Sequence, residues 1–187
     1  MAELLRETVF APAIALQLLE GDITTAPVEA IVNPANEKLQ HGGGLAGIIA
    51  RKAGSSLQHE SNAWIAEHGP ISHNRPAFTE AGQLPFQKII HAVGPVWGTG
   101  NEQARLTQAV QGSLRLAREL DLASLALPSI SAGVFRYPVE QAARVILKAL
   151  REDCQESNPG SLKLIQVYVY NPPAREAFLQ AWDKLIR

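Results

Sequence analysis

Short apolar runs with a period of two alternate with longer stretches in which apolar residues recur at helical spacing, and the alternation persists from residue 14 to the end of the chain. Ile14, Leu16 and Leu18 alternate with Ala15, Gln17 and Leu19, and Ala30-Ile31-Val32-Asn33 makes a second short run. Leu45, Ile48 and Ile49 then follow helical spacing behind three glycines, with Gly54 as the stop. A second helix is expected from about Ser56 to His68, because Ser55 and Gln58 fit a capping box and Gly69-Pro70 breaks the pattern. Pro76 to Ala81 and Lys88 to Val93 read as strands, and Glu102 to Leu120 as a helix with the stripe Leu106, Ala109, Val110, Leu114 and Ala117. Ser124 to Leu127 returns to strand. Pro138 opens a helix with Val139, Ala143, Ile146, Leu147 and Leu150 inward, and Leu164 to Tyr170 is a strand before a helix that buries Phe178, Trp182 and Leu185.

This order of elements predicts an α/β fold, a three-layer α/β/α sandwich around a central mixed, largely parallel sheet. With 187 residues and no linker, repeat or charged tail, one domain over 1–187 is expected, its core at about 13–186. Ligands of such sheets bind outside the carboxyl ends of the strands, where loops run into helix N-termini.

Charge and cysteine content narrow the function classes. Seventeen basic against eighteen acidic residues give a net charge of −1, without the basic excess that a dedicated DNA-binding surface needs. The single cysteine, Cys154, excludes an internal disulfide and a Cys-rich zinc site, and suits a reducing compartment, so a cytoplasmic location is expected. Its neighbours Glu152, Asp153 and Glu156 oppose a thiolate. No stretch approaches the roughly 20 apolar residues of a membrane span. Phe10 to Leu19 has the length of a signal core, but Glu3, Arg6 and Glu7 precede it and Glu20-Gly21-Asp22 follows, so it reads as a strand of the mature protein.

Two loops occupy the expected ligand address. The first runs from Asn33-Pro34-Ala35-Asn36 to His41-Gly42-Gly43-Gly44, leaving a strand and ending at a helix start. Three consecutive glycines are entropically costly, so they point to backbone that takes positive φ or lies very close to something. Their N–H groups with the helix N-terminus would attract an anion, most simply a phosphate, whereas the plainer alternative is a flexible connection. The second loop is Pro128 to Tyr137: Ser131, Ala132 and Gly133 let backbone approach a ligand, and Val134, Phe135 and Tyr137 could wall off a sugar ring. An ordinary tight turn with Phe135 in the core is the competing reading. Two anion-friendly loops on one edge suggest a diphosphate.

Other chemistries fit poorly. Gly42-x-Gly44-x-x-Gly47 matches the dinucleotide fingerprint formally, but Asn33 lies well upstream and a second helix intervenes before the next strand. Ile48 stands where a Walker A lysine is required. Ser131 lacks a glycine two positions before it and is no nucleophile elbow. His41, His59, His68, His73 and His91 show no zinc-ligand spacing, and nothing calls for a metal or cofactor. Asp22 could accept from a base or sugar donor, or simply cap a turn, and Tyr168 and Tyr170 could stack on a base or pack on a helix.

Five segments together resemble the macrodomain family: Gly21-Asp22-Ile23-Thr24, Val32-Asn33-Pro34-Ala35-Asn36, His41-Gly42-Gly43-Gly44-Leu45-Ala46-Gly47, Ile89-Ile90-His91-Ala92-Val93-Gly94-Pro95 and Ser131-Ala132-Gly133-Val134-Phe135. The resemblance implies a cleft for ADP-ribose, with Asp22 and the Ile23 backbone on the adenine and Asn36 on the distal ribose. By the same likeness Gly42, Gly43, Gly44 and Leu45, with Ser131, Ala132, Gly133, Val134 and Phe135, would hold the diphosphate. Phe135 would flank the distal ribose, and Tyr170 or Asn171 would border the adenine. Many de-ADP-ribosylating relatives carry Asp where this chain has Ala46. A subgroup with the His-Gly-Gly-Gly-aliphatic-Ala-Gly loop still includes hydrolases, in which the substrate's phosphate activates water held by Asn36 and loop backbone, here at Gly44 and Phe135. The function so implied is removal of mono-ADP-ribose from acidic side chains of proteins, the alternatives being a non-catalytic ADP-ribose reader or a hydrolase of a small derivative such as O-acetyl-ADP-ribose. Nucleic-acid ends bearing ADP-ribose carry the same recognisable group, though nothing in the sequence indicates them.

Overall fold

The computed structural model describes residues 2–10, 14–156 and 158–186, leaving aside the side chain of Glu156. Seven strands and five α-helices form one α/β/α sandwich: β1 (Glu3–Phe10), β2 (Ile14–Glu20), β3 (Ala30–Ala35), α1 (Gly44–Ala53), α2 (Ser55–His68), β4 (Ala77–Thr79), β5 (Lys88–Val93), α3 (Glu102–Glu119), β6 (Ser124–Pro128), α4 (Val139–Glu156), β7 (Leu164–Val169) and α5 (Pro172–Leu185). The sheet order is β1-β2-β7-β6-β3-β5-β4. Its five inner strands run parallel, and β1 and β4 pair antiparallel at the two edges.

The period-two runs divide the sheet's side chains between two cores. Leu16, Leu18, Val32, Ile90, Leu125, Leu127, Ile165 and Val167 face α3, α4 and α5. Ile31, Ile89, Ala126 and Tyr168 face α1 and α2. The stripe expected on the long helix before β6 is buried as read, since Leu106, Ala109, Val110, Leu114 and Ala117 are all inaccessible to solvent.

Two expectations need correction at the N-terminus and at α2. The apolar run from Phe10 to Leu19 is not one strand, because β1 ends at Phe10 and β2 begins at Ile14, with Phe10 opposite Ile14 in an antiparallel pair. Residues 11–13 of that run lie outside the described residues. β1 carries three charges and exposes Leu4 and Val9, with a register shift between Leu4 and Arg6, so it lacks the alternation that marks an inner strand. The capping box at α2 does not form either. Gly54 caps α2 without a side-chain bond, and Gln58 instead donates to Leu39 O (3.0 Å) and Asn62 Oδ1 (2.9 Å) and accepts from His41 N (3.3 Å).

The ladder that positions the site is the shortest one in the parallel region. β3 and β6 pair only over Ala30–Leu125 and Ile31–Ala126, then diverge toward their carboxyl ends. Here the chain's crossovers part toward opposite edges of the sheet, which opens a crevice of the kind that holds ligands in open α/β sheets. Cys154 lies far from it in the α3/α4/α5 core, where burial first, and Asp153 next, push its thiol up to about 12 despite Arg118.

Candidate functional site

A cleft of about 810 Å³ opens over the carboxyl ends of all five parallel strands. β2 contributes Asp22, β3 Asn36, β5 Gly94, β6 Ser129 and Ser131, and β7 Tyr170. The strand order places the ends of β2 and β3 three strand spacings apart, about 14 Å. Asp22 and Asn36 therefore mark opposite ends, with both glycine-containing loops between them.

The first loop delivers unpaired amides. Gly43 caps α1 without a side-chain bond, and the first helical amide with a partner is Gly47 N, which donates to Gly43 O (2.9 Å). The N–H groups of Gly42, Gly43, Gly44, Leu45 and Ala46 donate to no described residue. Of the three consecutive glycines only Gly44 has positive φ, at 55°, while Gly43 is extended. A Cβ on Gly42 or Gly43 would meet nothing within 4 Å, so the fold itself does not require glycine at either position. The bare backbone there faces open cleft.

The second loop reaches the same place by a different device. Ser131 and Arg136 both take left-handed φ, 66° and 59°, which bows out the backbone between them. Within that bow the N–H groups of Gly133, Val134 and Phe135 have no described partner, whereas Ala132 N donates to Ser129 O (3.2 Å). The two loops touch, since a Cβ on Gly44 would lie 3.1 Å from Val134 Cγ2. Eight amides without a described partner thus belong to residues lining one cleft, which no Lys or Arg lines among the described residues.

Of the fourteen residues named from the sequence, twelve line this cleft; Ala132 and Asn171 do not. Ala132 is partly buried against the core, and Asn171 is used locally, its Oδ1 accepting from Ala174 N (3.0 Å) to cap α5. Tyr137, expected at the sugar wall, is buried and packs on Trp97 with ring centroids 4.9 Å apart. Tyr168 is also buried, leaving Tyr170, 81% exposed, as the accessible ring at that end.

Of the two readings of Asp22, the turn cap is the one formed within the chain. Its Oδ1 accepts from Thr24 N (2.9 Å) and Thr24 Oγ1 (2.6 Å), capping the turn Ile23–Thr25, and its Oδ2 pairs with Lys52 Nζ at 2.8 Å. Burial alone would push the Asp22 carboxyl up, but the hydrogen bonds from Lys52 and Thr24 outweigh it and hold the group below the usual carboxylate range. Asn36 is similarly engaged. Its Oδ1 accepts from Lys38 N and Gln40 N, both at 3.1 Å, and its Nδ2 donates to Gln40 O at 2.8 Å, which leaves one free N–H on the side chain.

A buried polar network behind the first loop was not foreseen in the sequence. Asn33 Nδ2 contacts His41 Nδ1 (3.2 Å) and His91 Nδ1 (3.0 Å), His41 Nε2 contacts Ser61 Oγ (2.9 Å), and His91 Nε2 contacts Thr79 Oγ1 (2.9 Å). One assignment suits all four contacts: the amide donates twice, so both rings are neutral, accept at Nδ1 and donate from Nε2. Turning the amide over would strand two N–H groups where only Asn33 Oδ1 is now unpartnered. Burial lowers the affinity of both rings for a second proton, for His91 to about 3 with His41 adding repulsion. Gly94, at the end of β5, was also missed as a site residue. A Cβ there would overlap Ser131 Oγ and lie 2.6 Å from Ile130 Cγ2, so its absence lets the second loop close over the strand.

An α/β/α domain with a crevice of free amides at its sheet's switch point defines a nucleotide-diphosphate class of site. The Macro domain family model matches residues 32–146, and the chain belongs to that family. An uncharacterized protein of Pyrobaculum aerophilum is 42% identical over 89% of this chain and 90% of its own length. Among solved structures, the Oceanobacillus iheyensis macrodomain with ADP is similar with a TM-score of 0.88 at 28% identity, covering 100% of this chain and 97% of that one. The Trypanosoma brucei macrodomain in complex with ADP-ribose reaches 0.78 at 29% identity, over 88% of this chain and 68% of that one.

Proposed function

We propose that the cleft binds ADP-ribose and that the protein hydrolyses the ester joining mono-ADP-ribose to acidic side chains of proteins. The observation that carries the binding half is that eight residues with unpartnered amides, from two loops, line the cleft that holds Asp22 and Asn36. Backbone amides hold a diphosphate through directed dipoles and need no lysine, consistent with a lining free of basic side chains. Asp22 keeps lone pairs for the adenine amino group, with Tyr170 beside it, and Phe135 and the free N–H of Asn36 meet the distal ribose.

In this reading hydrolysis uses no carboxylate of the ADP-ribose cleft at its reacting end, Glu37 lining only the space beyond Asn36. Asp22 is the sole Asp or Glu among the cleft's described lining residues, and it lies some 14 Å away. Position 46 is an alanine, 8% exposed. In this reading the substrate's own phosphate takes the proton of a water held by Asn36 and the amides at Gly44 and Phe135, and the products are ADP-ribose and a free carboxylate. The missing base favours a second reading, a reader module that binds the modification without turnover. Hydrolysis of a small ester such as O-acetyl-ADP-ribose would use the same geometry. The cytoplasmic location remains part of this proposal.

The discriminating experiment incubates the protein with a carrier mono-ADP-ribosylated on glutamate. Loss of label with wild type, reduced about tenfold or more in Asn36→Ala while affinity for ADP-ribose changes less, is the expected result. Label that persists while the complex forms tightly assigns the reader function instead.

A further inference from the structure

A second cleft, of about 480 Å³, continues from the distal end of the first. The two share Asn36, Gln40, Gly94 and Phe135, so the space beyond the distal ribose leads directly into it. Its outer wall is the segment after β5, and that wall is braced rather than loose. The Glu102 carboxylate accepts from Gly98 N and Gly100 N, both at 2.9 Å, Thr99 Oγ1 donates to Val96 O (2.7 Å), and Trp97 N donates to Phe135 O (2.9 Å). The last bond ties the wall to the second loop of the ADP-ribose cleft.

The charge of this second space differs from the first. Lys38 and Arg105 line it against one carboxylate, Glu37, and neither cation has a carboxylate within ion-pair distance among the described residues. Arg105 is aimed by a hydrogen bond to Thr99 Oγ1 (3.2 Å). His73 spends Nδ1 on Val93 O (2.8 Å), and Pro95 and Val96 supply apolar surface. With the distal ribose at Asn36, a group attached to it would leave the first cleft beside Asn36 and Phe135, next to these side chains.

We infer that this cleft is the seat of the polypeptide segment carrying the ADP-ribose, and that it selects segments with acidic residues flanking the modified one. The inference rests on the proposed binding of ADP-ribose in the first cleft. A peptide fits better than a nucleic acid: two cations on a chain of net charge −1 make no phosphate-tracking stripe, and Phe135 is the one Phe, Tyr or Trp among the described lining residues, beside the His73 ring, whereas strands of nucleic acid need a basic groove with successive stacking platforms.

The test is calorimetric titration of the full chain with four probes. These are free ADP-ribose, two peptides of equal length bearing ADP-ribose through a hydrolysis-resistant linkage with Asp/Glu or Lys flanks, and a short oligonucleotide ADP-ribosylated at its terminal phosphate. The acidic peptide should bind about tenfold tighter than the basic one, the sum expected of two partly exposed ion pairs. In the double variant Lys38→Glu/Arg105→Glu, at one exposed and one half-buried position, that ranking should reverse, with free ADP-ribose bound within about twofold of wild type. Equal binding of the two peptides, or a ranking that survives the double variant, overturns the inference while leaving ADP-ribose binding intact. Preferred binding of the oligonucleotide, lost in the double variant, overturns it in favour of a nucleic-acid end. Failure of free ADP-ribose to bind wild type removes instead the reading on which the inference stands.

Discussion

Gly133→Glu should leave the fold and its melting temperature nearly unchanged and abolish ADP-ribose binding. A Cβ at position 133 meets nothing within 4 Å, and the residue does not adopt the left-handed backbone that only glycine tolerates cheaply. A solvent-facing substitution without such conflicts normally shifts stability by about 0.5 kcal/mol or less. The new carboxylate would, however, stand beside the free amides of Gly133, Val134 and Phe135, where a diphosphate is proposed to sit. Like charges about 4 Å apart near a protein surface repel by about 4 kcal/mol, so a loss of at least about a hundredfold in affinity is expected before bulk is counted. Circular dichroism and thermal unfolding check the first half, and titration with ADP-ribose the second. A folded Gly133→Glu protein that binds like wild type would remove the second loop from the site.

The second large effect is a loss of stability between pH 6.5 and 5. His91 is fully buried and held neutral down to about pH 3. In the unfolded chain it takes up a proton near pH 6.5, so over this interval the unfolded state binds more protons than the native state. Stability contributed by the neutral ring is therefore fully present above about pH 6.5 and declines as the pH falls, at roughly 1.4 kcal/mol per unit once the unfolded histidine is protonated. His91 alone then accounts for about 2 kcal/mol by pH 5, and His41, shifted the same way by burial, adds to it. Carboxylates contribute little in this window, because their unfolded pKa values lie near 4. Denaturant melts at pH 7, 6 and 5 measure the slope, and a flat profile would mean that the Asn33 network does not require two neutral rings. Since His41 immediately precedes Gly42, protonation would also loosen the first phosphate loop.

The legible parts of this protein were those set by local period and by glycine. Strand and helix alternation gave the three layers because inner parallel strands are apolar on both faces and helices carry a single stripe. β1 escaped because an edge strand owes its pairing to β2 rather than to its own side chains. The two loops could be read because runs of glycine and small residues between a strand and a helix leave backbone open to a ligand, yet the bounds of the cradle could not. Ala132 N is spent inside its own turn, and which amides stay free depends on the left-handed residues at 131 and 136. Asn171 carries the same ambiguity, as a residue at a strand end can serve a ligand or cap the next helix, and its Oδ1 caps α5. The network around Asn33 joins residues up to 58 positions apart, and the second cleft exists only where the segments after β3 and β5 meet, so neither leaves a local pattern. A glycine closing the apolar run of β5 was the available signal for Gly94.

The central claim is that one diphosphate is held jointly by the backbone of residues 42–46 and 133–135. A crystal structure of the protein soaked with ADP-ribose tests it most directly. The claim predicts phosphate oxygens within about 3 Å of amide nitrogens from both segments, with the adenine toward Asp22 and the distal ribose toward Asn36. A diphosphate touching only one segment, or lying elsewhere on the molecule, would contradict it.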